Sequence, residues 1–326
     1  MIWRSASFED IRRYDGLPLT SEHRPPCSFG SAAIPPNSAE IAYWSGETGA
    51  RWATFNEQLD RTFAPLSGAG LRCANVGPGQ ALLDIGSGCG ATLLDLAEAV
   101  GPAGTVTGVD VSPPMLALAE QRARSRGLGN VRCILADAAT HPFDAAAFDV
   151  VFSRFGVMFF DDPAGALANV RRSLRPDGRL IFVCWRGLAV NPWFSVPADA
   201  VRPYLAPQPP PDPDAPGPLA FADPNRVCRI LEGADFADVR FDEFDARLRL
   251  GDRRSATQLL THIGPAARLL ALADDGARAE AERALEHALT AHESNGEVWL
   301  GAGVWIVSAR PKRGAAIALD DGADAD

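Results

Sequence analysis

The six cysteines, at positions 27, 73, 89, 133, 184 and 228, form no CxxC pair, and no His-x-x-x-His lies near them. That spacing argues against a zinc site and against a disulfide framework, and no metal is expected. The thiols read as small apolar filler, and spacing alone gives no support to a thiol trio for a soft metalloid. Long apolar runs are also missing: none reaches the roughly 18 residues of a membrane span. The opening segment, "MIWRSASFEDIRRYDG", mixes charges of both signs and has no apolar signal-peptide core, so a cytoplasmic location is expected. Excess positive charge is lacking too. A formal net charge of -10 removes the electrostatic footprint of a general nucleic-acid binder. Finally, no Tyr-x-x-x-Lys or other hydride-transfer constellation is recognisable.

What is present is an ordinary globular composition, 47% hydrophobic and 22% charged over 326 residues. That length accommodates one large domain or a domain with a cap. Residues 1–36 carry prolines at 18, 25, 26, 35 and 36 and read as an irregular arm. Residues 37–75 read as an N-terminal helical cap, with Trp52, Phe55, Leu59 and Phe63 recurring on one face. Residues 76–186 alternate between short apolar strands and helices. The strands are "ALLDIG" (81–86), "TVTGVD" (105–110), "VRCILAD" (131–137), "FDVVFSRF" (148–155) and "RLIFVCW" (179–185). Ser112-Pro113 is expected to open a helix with the serine as its cap. Arg175-Pro176-Asp177-Gly178 is expected to turn into the fifth strand. Residues 187–235 combine a proline-rich insertion with a helix and read as a substrate cap. Residues 236–310 contain two strands, 238–250 and 304–310, around a helical insertion, and 311–326 read as a disordered tail. The alternation predicts an α/β fold: a Rossmann-like, doubly wound, seven-stranded sheet with a C-terminal antiparallel hairpin and a mostly helical cap.

The stretch "LLDIGSGCGATLLDLA" (82–97) takes a buried strand through Gly86, Ser87, Gly88 and Gly90 into a helix. Glycines let a ligand approach the backbone closely, and the helix N-terminus favours negative charge. A nicotinamide dinucleotide is one candidate, since with Ala91 the turn also reads as G-x-G-x-x-A. Three features favour S-adenosylmethionine instead. Asp84 precedes the turn, where a carboxylate suits a cationic amino group and would repel a pyrophosphate. Asp137-Ala138, ending the third strand, can read an adenine edge. The two late strands fit an added hairpin rather than a second dinucleotide-binding half. Asp110, ending the second strand, can hold a ribose in either case.

With these motifs in order over roughly residues 80–186, the chain resembles the class I S-adenosylmethionine-dependent methyltransferases. The branch it is most similar to is that of the ubiquinone/menaquinone biosynthesis methyltransferases. The resemblance rests on "LLDIGSGCG", "VTGVDVSPPMLALAEQRA", "ILADAATHPF", "FDVVFSRFGVMFF" and "LRPDGRLIFVCW", flanked by "YWSGETGARW" and "VWIVSAR". It implies that Gly86, Ser87, Gly88 and Gly90 wrap the methionine part of the cofactor, with Asp84 near its ammonium group. It further implies that Asp110 accepts both ribose hydroxyls, that Val111 and Met115 pack on the adenine, and that Asp137 and Ala138 read its edge. Ser153 would lie near the reacting methyl or contribute only its backbone, and Trp52 would close over the cofactor. Trp52 and Met115 serve equally well as core.

Methyl transfer from a sulfonium is an in-line displacement that depends mainly on alignment, so the resemblance names no universal catalytic residue. The candidates are His141 and His262 as bases and Arg154 as an anchor for an anionic acceptor. Trp185, Trp193, Phe194 and Trp305 are candidates to shape an apolar acceptor pocket. The expected product is S-adenosylhomocysteine. The expected partner is a small-molecule acceptor, a secondary metabolite or quinone-like compound, with no nucleic acid and no membrane span; a homodimer stays open. Two other readings remain at this stage: a catalytically silent S-adenosylmethionine-binding regulatory subunit, and an NAD-dependent oxidoreductase.

Overall fold

A computed structural model describes residues 37–207, 212 and 214–312. The expected arm at 1–36, the expected tail beyond Lys312 and part of the proline-rich stretch lie outside the described residues. Three helices come first: α1 (Ser38–Ser45), α2 (Glu47–Thr54) and α3 (Asn56–Ala74). The αβ run follows as β1 (Ala81–Ile85), α4 (Ala91–Val100), β2 (Thr105–Asp110), α5 (Pro113–Ser125), β3 (Val131–Leu135), β4 (Phe148–Arg154), α6 (Pro163–Ser173) and β5 (Leu174–Trp185). The remainder is α7 (Pro192–Val201), α8 (Pro224–Gly233), β6 (Phe236–Gly251), α9 (Arg253–His262), α10 (Pro265–Leu270), α11 (Asp275–Leu289), β7 (Glu293–Ser294) and β8 (Glu297–Pro311).

Seven strands form one path, β3-β2-β1-β4-β5-β8-β6, and the two-residue β7 pairs with β8. The first five are parallel, and β8 runs antiparallel to both β5 and β6. The strand order reverses between β1 and β4, the place where sheets of this kind hold ligands at their carboxyl ends. The central strands are apolar on both faces: Leu82, Leu83, Val150, Val151, Phe152 and Leu180 through Val183 are all fully buried. Such strands must be covered on both sides by helices. α3, α4 and α5 neighbour one another against the sheet, while α6 and α8 pack together on β5 and β6.

Several sequence expectations are corrected. The first helical stretch is broken at Gly46 and Phe55. Its third piece, α3, buries Leu59, Phe63 and Leu66 against the sheet, so it belongs to the core rather than to a cap. β6 and β8 are longer than expected because they pair along nearly their whole lengths. Gly301 and Gly303 weaken the strand pattern of β8, and that pairing overrides them. Residues 175–178 fall within the span of β5, across an irregularity in its pairing with β4. Ser112 does start α5, but its hydroxyl makes no capping bond; the carboxylate of Asp110 accepts the Ser112 N–H instead, at 2.8 Å. Elsewhere aspartates do cap: Asp162, Asp223, Asp252 and Asp274 each accept a backbone N–H at the start of α6, α8, α9 and α11. No helix among the described residues is long and apolar enough to cross a membrane.

Candidate active site

A cavity of about 1930 Å³ opens at the carboxyl ends of β1, β2 and β4. Typical small-molecule sites occupy roughly 300–1,000 Å³, so this one has room for two ligands side by side. Its floor is the turn after β1. Gly86 and Gly88 have φ of 68° and 55°, the left-handed region that favours glycine. A Cβ on Gly86 would stand 2.8 Å from the Gly156 Cα, so backbone meets backbone there. On Gly88 it would meet only the flexible end of Met115, at 2.9 Å.

Of the twelve residues expected around the cofactor, nine line this cavity. Gly86, Ser87 and Gly88 form the floor; Asp110, Val111 and Met115 stand at the end of β2; Asp137, Ala138 and Trp52 close the far side. The other three lie behind the wall. Gly90 abuts Ala119. Asp84 is fully buried, with Oδ2 accepting from Thr92 Oγ1 at 2.8 Å and Oδ1 without a partner. Ser153 contributes no side chain to the lining. It is fully buried, donates from Oγ to the Ile85 carbonyl at 2.8 Å and accepts from the Gly156 N–H. Its hydroxyl braces β4 against β1 and does not face the cavity.

The two histidine candidates do not reach the cavity wall. His141 sits in the turn after Asp137, its N–H on the Asp137 carbonyl and its ring edge-on to Phe143. His262 ends α9 with Nδ1 on the Gln258 carbonyl at 2.8 Å and its ring against Phe55. His141 is held by local turn contacts, and His262 by its own helix and by Phe55. Arg154 does line the cavity.

Charge in the site is arranged by burial. Burial pushes the Asp84 carboxyl up to about 7, against the lowering effects of the Thr92 bond and the Arg154 charge. Burial also raises Asp110, partly offset by the backbone N–H groups of Ser112 and Gly88 that it accepts at 2.8 Å each. Asp110 therefore ties the end of β2 to the glycine turn.

Three features were not legible in the sequence. Asn37, just before α1, donates its side-chain amide to both oxygens of Asp137 and accepts the Asp161 N–H. Arg268 on α10 donates to the Tyr43 hydroxyl at 2.9 Å and lies over its ring, clasping α10 to α1 beside the cavity. Phe155, a non-glycine residue at φ 68°, stacks on Trp185 with ring centroids 4.3 Å apart. Of these only Asn37 left a trace, as an asparagine before a helical pattern.

The comparisons with known proteins bear on this geometry. The methyltransferase domain family matches residues 83–182, from β1 into β5. Nocamycin O-methyltransferase of Saccharothrix syringae is 36% identical over 195 residues, covering 57% of this chain and 70% of that protein. The chain belongs to the S-adenosylmethionine-dependent methyltransferases.

Aklanonic acid methyltransferase DauC of Streptomyces sp. (strain C5) is 42% identical over 104 residues, 32% of this methyltransferase and 47% of that protein. Demethylmenaquinone methyltransferase of Geobacillus kaustophilus is 39% identical over 111 residues, 34% and 47% of the two chains. This methyltransferase thus spans about half the length of those two relatives. The YcgJ protein of Bacillus subtilis shares the fold, with a TM-score of 0.50 at 21% identity over 76% of this chain and 98% of its own. The cofactor of the family is S-adenosylmethionine, and the residues present fit it. Among the described residues, Ser87 Oγ and Arg154 Nε are enclosed without a hydrogen-bond partner. Ser87 follows Gly86 in the turn, and both Ser87 and Arg154 line the cavity.

Proposed function

We propose that this methyltransferase alkylates a small organic acceptor with an extended apolar skeleton, aromatic or quinone-like, of the secondary-metabolite kind. The observation that carries this reading is the cavity's size together with its second wall. Beyond the glycine turn the lining is Phe63, Phe155, Trp185, Trp193 and Phe194, with Leu219 and Leu269 from the cap segments. Phe63 meets Phe155, Trp185 and Trp193 edge-on at 5.3–5.9 Å. Such a wall offers flat apolar surface, which suits a rigid polycyclic ligand. The names of the three relatives, each for a small organic acceptor, support the same class.

In this reading Gly86, Ser87 and Gly88 receive the amino-acid end of the cofactor against the floor. The Asp110 carboxylate accepts the ribose hydroxyls. Val111 and Met115 sandwich the base, and Asp137 and Ala138 meet its edge. When bound, the cofactor supplies an already activated methyl group on a sulfonium. The protein's part is to hold the acceptor atom in line with it and to keep water out. Among the described residues no histidine or lysine lines the cavity, so a general base there would have to be an acid, a tyrosine or the acceptor itself.

The test is a screen of hydroxynaphthoquinones and polycyclic hydroxy acids with S-adenosylmethionine. Turnover would appear as S-adenosylhomocysteine and an acceptor heavier by one methylene unit. Tight S-adenosylhomocysteine binding with no turnover on any such acceptor would instead favour a silent regulatory subunit.

A further inference from the structure

We propose that the indole N–H groups of Trp185 and Trp193 are the donors that select the methyl acceptor, and that what they take is a carbonyl oxygen on its aromatic skeleton. The inference rests on the aromatic-acceptor reading given above and names the two side chains that choose within it.

Trp185 ends β5 and Trp193 stands on α7, and both line the cavity on its aromatic wall. They are only 4% and 2% exposed. A tryptophan so deeply buried usually finds a partner for its one polar group. Elsewhere in this chain it does: Trp44 Nε1 donates to the Glu40 carboxylate and Trp305 Nε1 to the Ala222 carbonyl, at 3.1 Å each. Among the described residues, Trp185 and Trp193 have no such hydrogen bond. Neither nitrogen is one of the unpartnered atoms that the fold seals off, so each borders open space, and the open space beside both residues is the cavity.

The side chains packed on these indoles are rings. Phe63 meets Trp185 and Trp193 edge-on at 5.9 and 5.3 Å, Phe155 stacks on Trp185, and Phe194 meets Trp185 edge-on at 4.8 Å. A ring face is a weak partner for an N–H. These contacts fix both indoles in place, and the shared contact with Phe63 sets two donors on one wall. A donor held in an apolar wall without an oxygen partner costs free energy, which a ligand oxygen recovers.

The chemistry of the donor selects the oxygen. An indole N–H donates and cannot accept. A carbonyl oxygen brings lone pairs and no proton of its own. A hydroxyl placed there needs a second partner for its proton, and Phe63, Phe155 and Phe194 offer none. Charge on the same wall agrees. The Arg154 guanidinium lies over Phe63 and Phe155, 5.6 and 5.9 Å from their centroids, with Nη1 donating to Ser67 Oγ at 2.8 Å. A positive charge beside these rings favours an oxygen that carries partial negative charge. A site with built-in donors also rejects the analogue that lacks the oxygen, because its N–H groups then stay unpaired.

The experiment is equilibrium dialysis of the full chain and of its Trp185→Phe and Trp193→Phe variants at saturating S-adenosylhomocysteine. The probes are 2-hydroxyfluoren-9-one and 2-hydroxyfluorene, flat ligands that differ in the ketone oxygen. The unmodified protein is expected to bind the ketone about tenfold more tightly. Each variant, which keeps a ring and loses the N–H, should lower that preference about threefold or more. The ratio of the two ligands on one variant cancels any change of shape that both ligands feel. A second measurement needs no variant. In the unmodified protein carrying isotope-labelled tryptophan, the ketone should move two indole N–H resonances downfield beyond any shift that the fluorene produces. A ketone preference unchanged in both variants, or indole resonances that respond alike to the two ligands, would overturn the donors. Equal affinity of the unmodified protein for both ligands would do the same and leave the aromatic-acceptor reading standing. Binding of S-adenosylhomocysteine with no binding of either fluorene would strike the aromatic-acceptor reading, and the donors with it.

Discussion

The side-chain amide of Asn37 bonds both carboxylate oxygens of Asp137 at 3.0 Å, joining residues 100 positions apart. The same side chain accepts the Asp161 N–H at 2.7 Å. With Ser45 Oγ on the Val111 carbonyl, this pins both ends of α1 over the β2–β3 edge of the cavity. Asn37 is left-handed, at φ 58°, a conformation that aspartate also tolerates. Asn37→Asp therefore keeps the backbone but sets a third carboxylate against Asp137 and Asp161. Amide exchange across residues 38–45 should accelerate roughly tenfold or more, as charge-assisted bonds worth about 2 kcal/mol are lost. Unchanged exchange would mean that α1 is held by its aromatic contacts, chiefly Trp44 on Trp52 and Phe159, and not by Asn37.

Gly86 and Gly88 should not tolerate alanine equally. At Gly86 the added methyl meets the backbone of Gly156, which cannot step aside without moving β4. At Gly88 it meets Met115 Cε, the end of a side chain with three rotatable bonds. Gly88→Ala should cost about 1–2 kcal/mol, mostly for the left-handed backbone, and Gly86→Ala more than that, with loss of cofactor binding. Urea melts of the two variants decide it; equal midpoints would refute the close packing of the turn against Gly156.

Replacing Asp110 removes both a ligand contact and a brace. Asp110→Ala leaves the N–H groups of Gly88 and Ser112 without their side-chain acceptor. The expected result is a folded protein by circular dichroism whose S-adenosylhomocysteine affinity falls roughly 10- to 100-fold or further, the scale of one or two charge-assisted bonds. Full affinity would exclude Asp110 from the ribose site.

Asp84 makes stability depend on pH. Its folded carboxyl is raised from 3.8 to about 7 by burial. A raised acid binds its proton more tightly in the folded state, so its contribution is fully present below about pH 4 and is lost as pH rises through about 7. The difference amounts to about 4 kcal/mol at most for a shift of this size. Asp84→Asn, which cannot ionise, should flatten that decline. The variant's stability relative to the unmodified protein should rise between pH 4 and pH 8, measured by denaturant unfolding without cofactor. A constant difference across that range would show that Asp84 does not hold its proton.

Much of the glycine-turn end of the cavity was legible because its signals are local. Gly86 and Gly88 answer to a turn that needs positive φ. Asp110 and the stretch at Asp137-Ala138 stand at or just past strand ends, and a βαβ alternation carries strand ends to one edge of a sheet. Ser153 was left between a side-chain and a backbone role because strand position alone does not say which face a side chain takes. Its hydroxyl went to the Ile85 carbonyl, a partner supplied by the neighbouring strand. His141 and His262 were plausible as types but had no local feature tying them to the cavity.

The sequence by itself determined the order of the β and α segments, the parallel core, the glycine turn and the acids that surround it. Each of these follows from period, turn chemistry or strand ends, properties of residues a few positions apart. Only the tertiary structure decided that Arg154 lies over Phe63 and Phe155, that Asn37 reaches Asp137, that Phe155 stacks on Trp185 and that α1 meets α10 through Tyr43 and Arg268. Those relationships join side chains from segments distant in the chain. Only closure of the sheet and packing of the helices on it bring them within bonding distance.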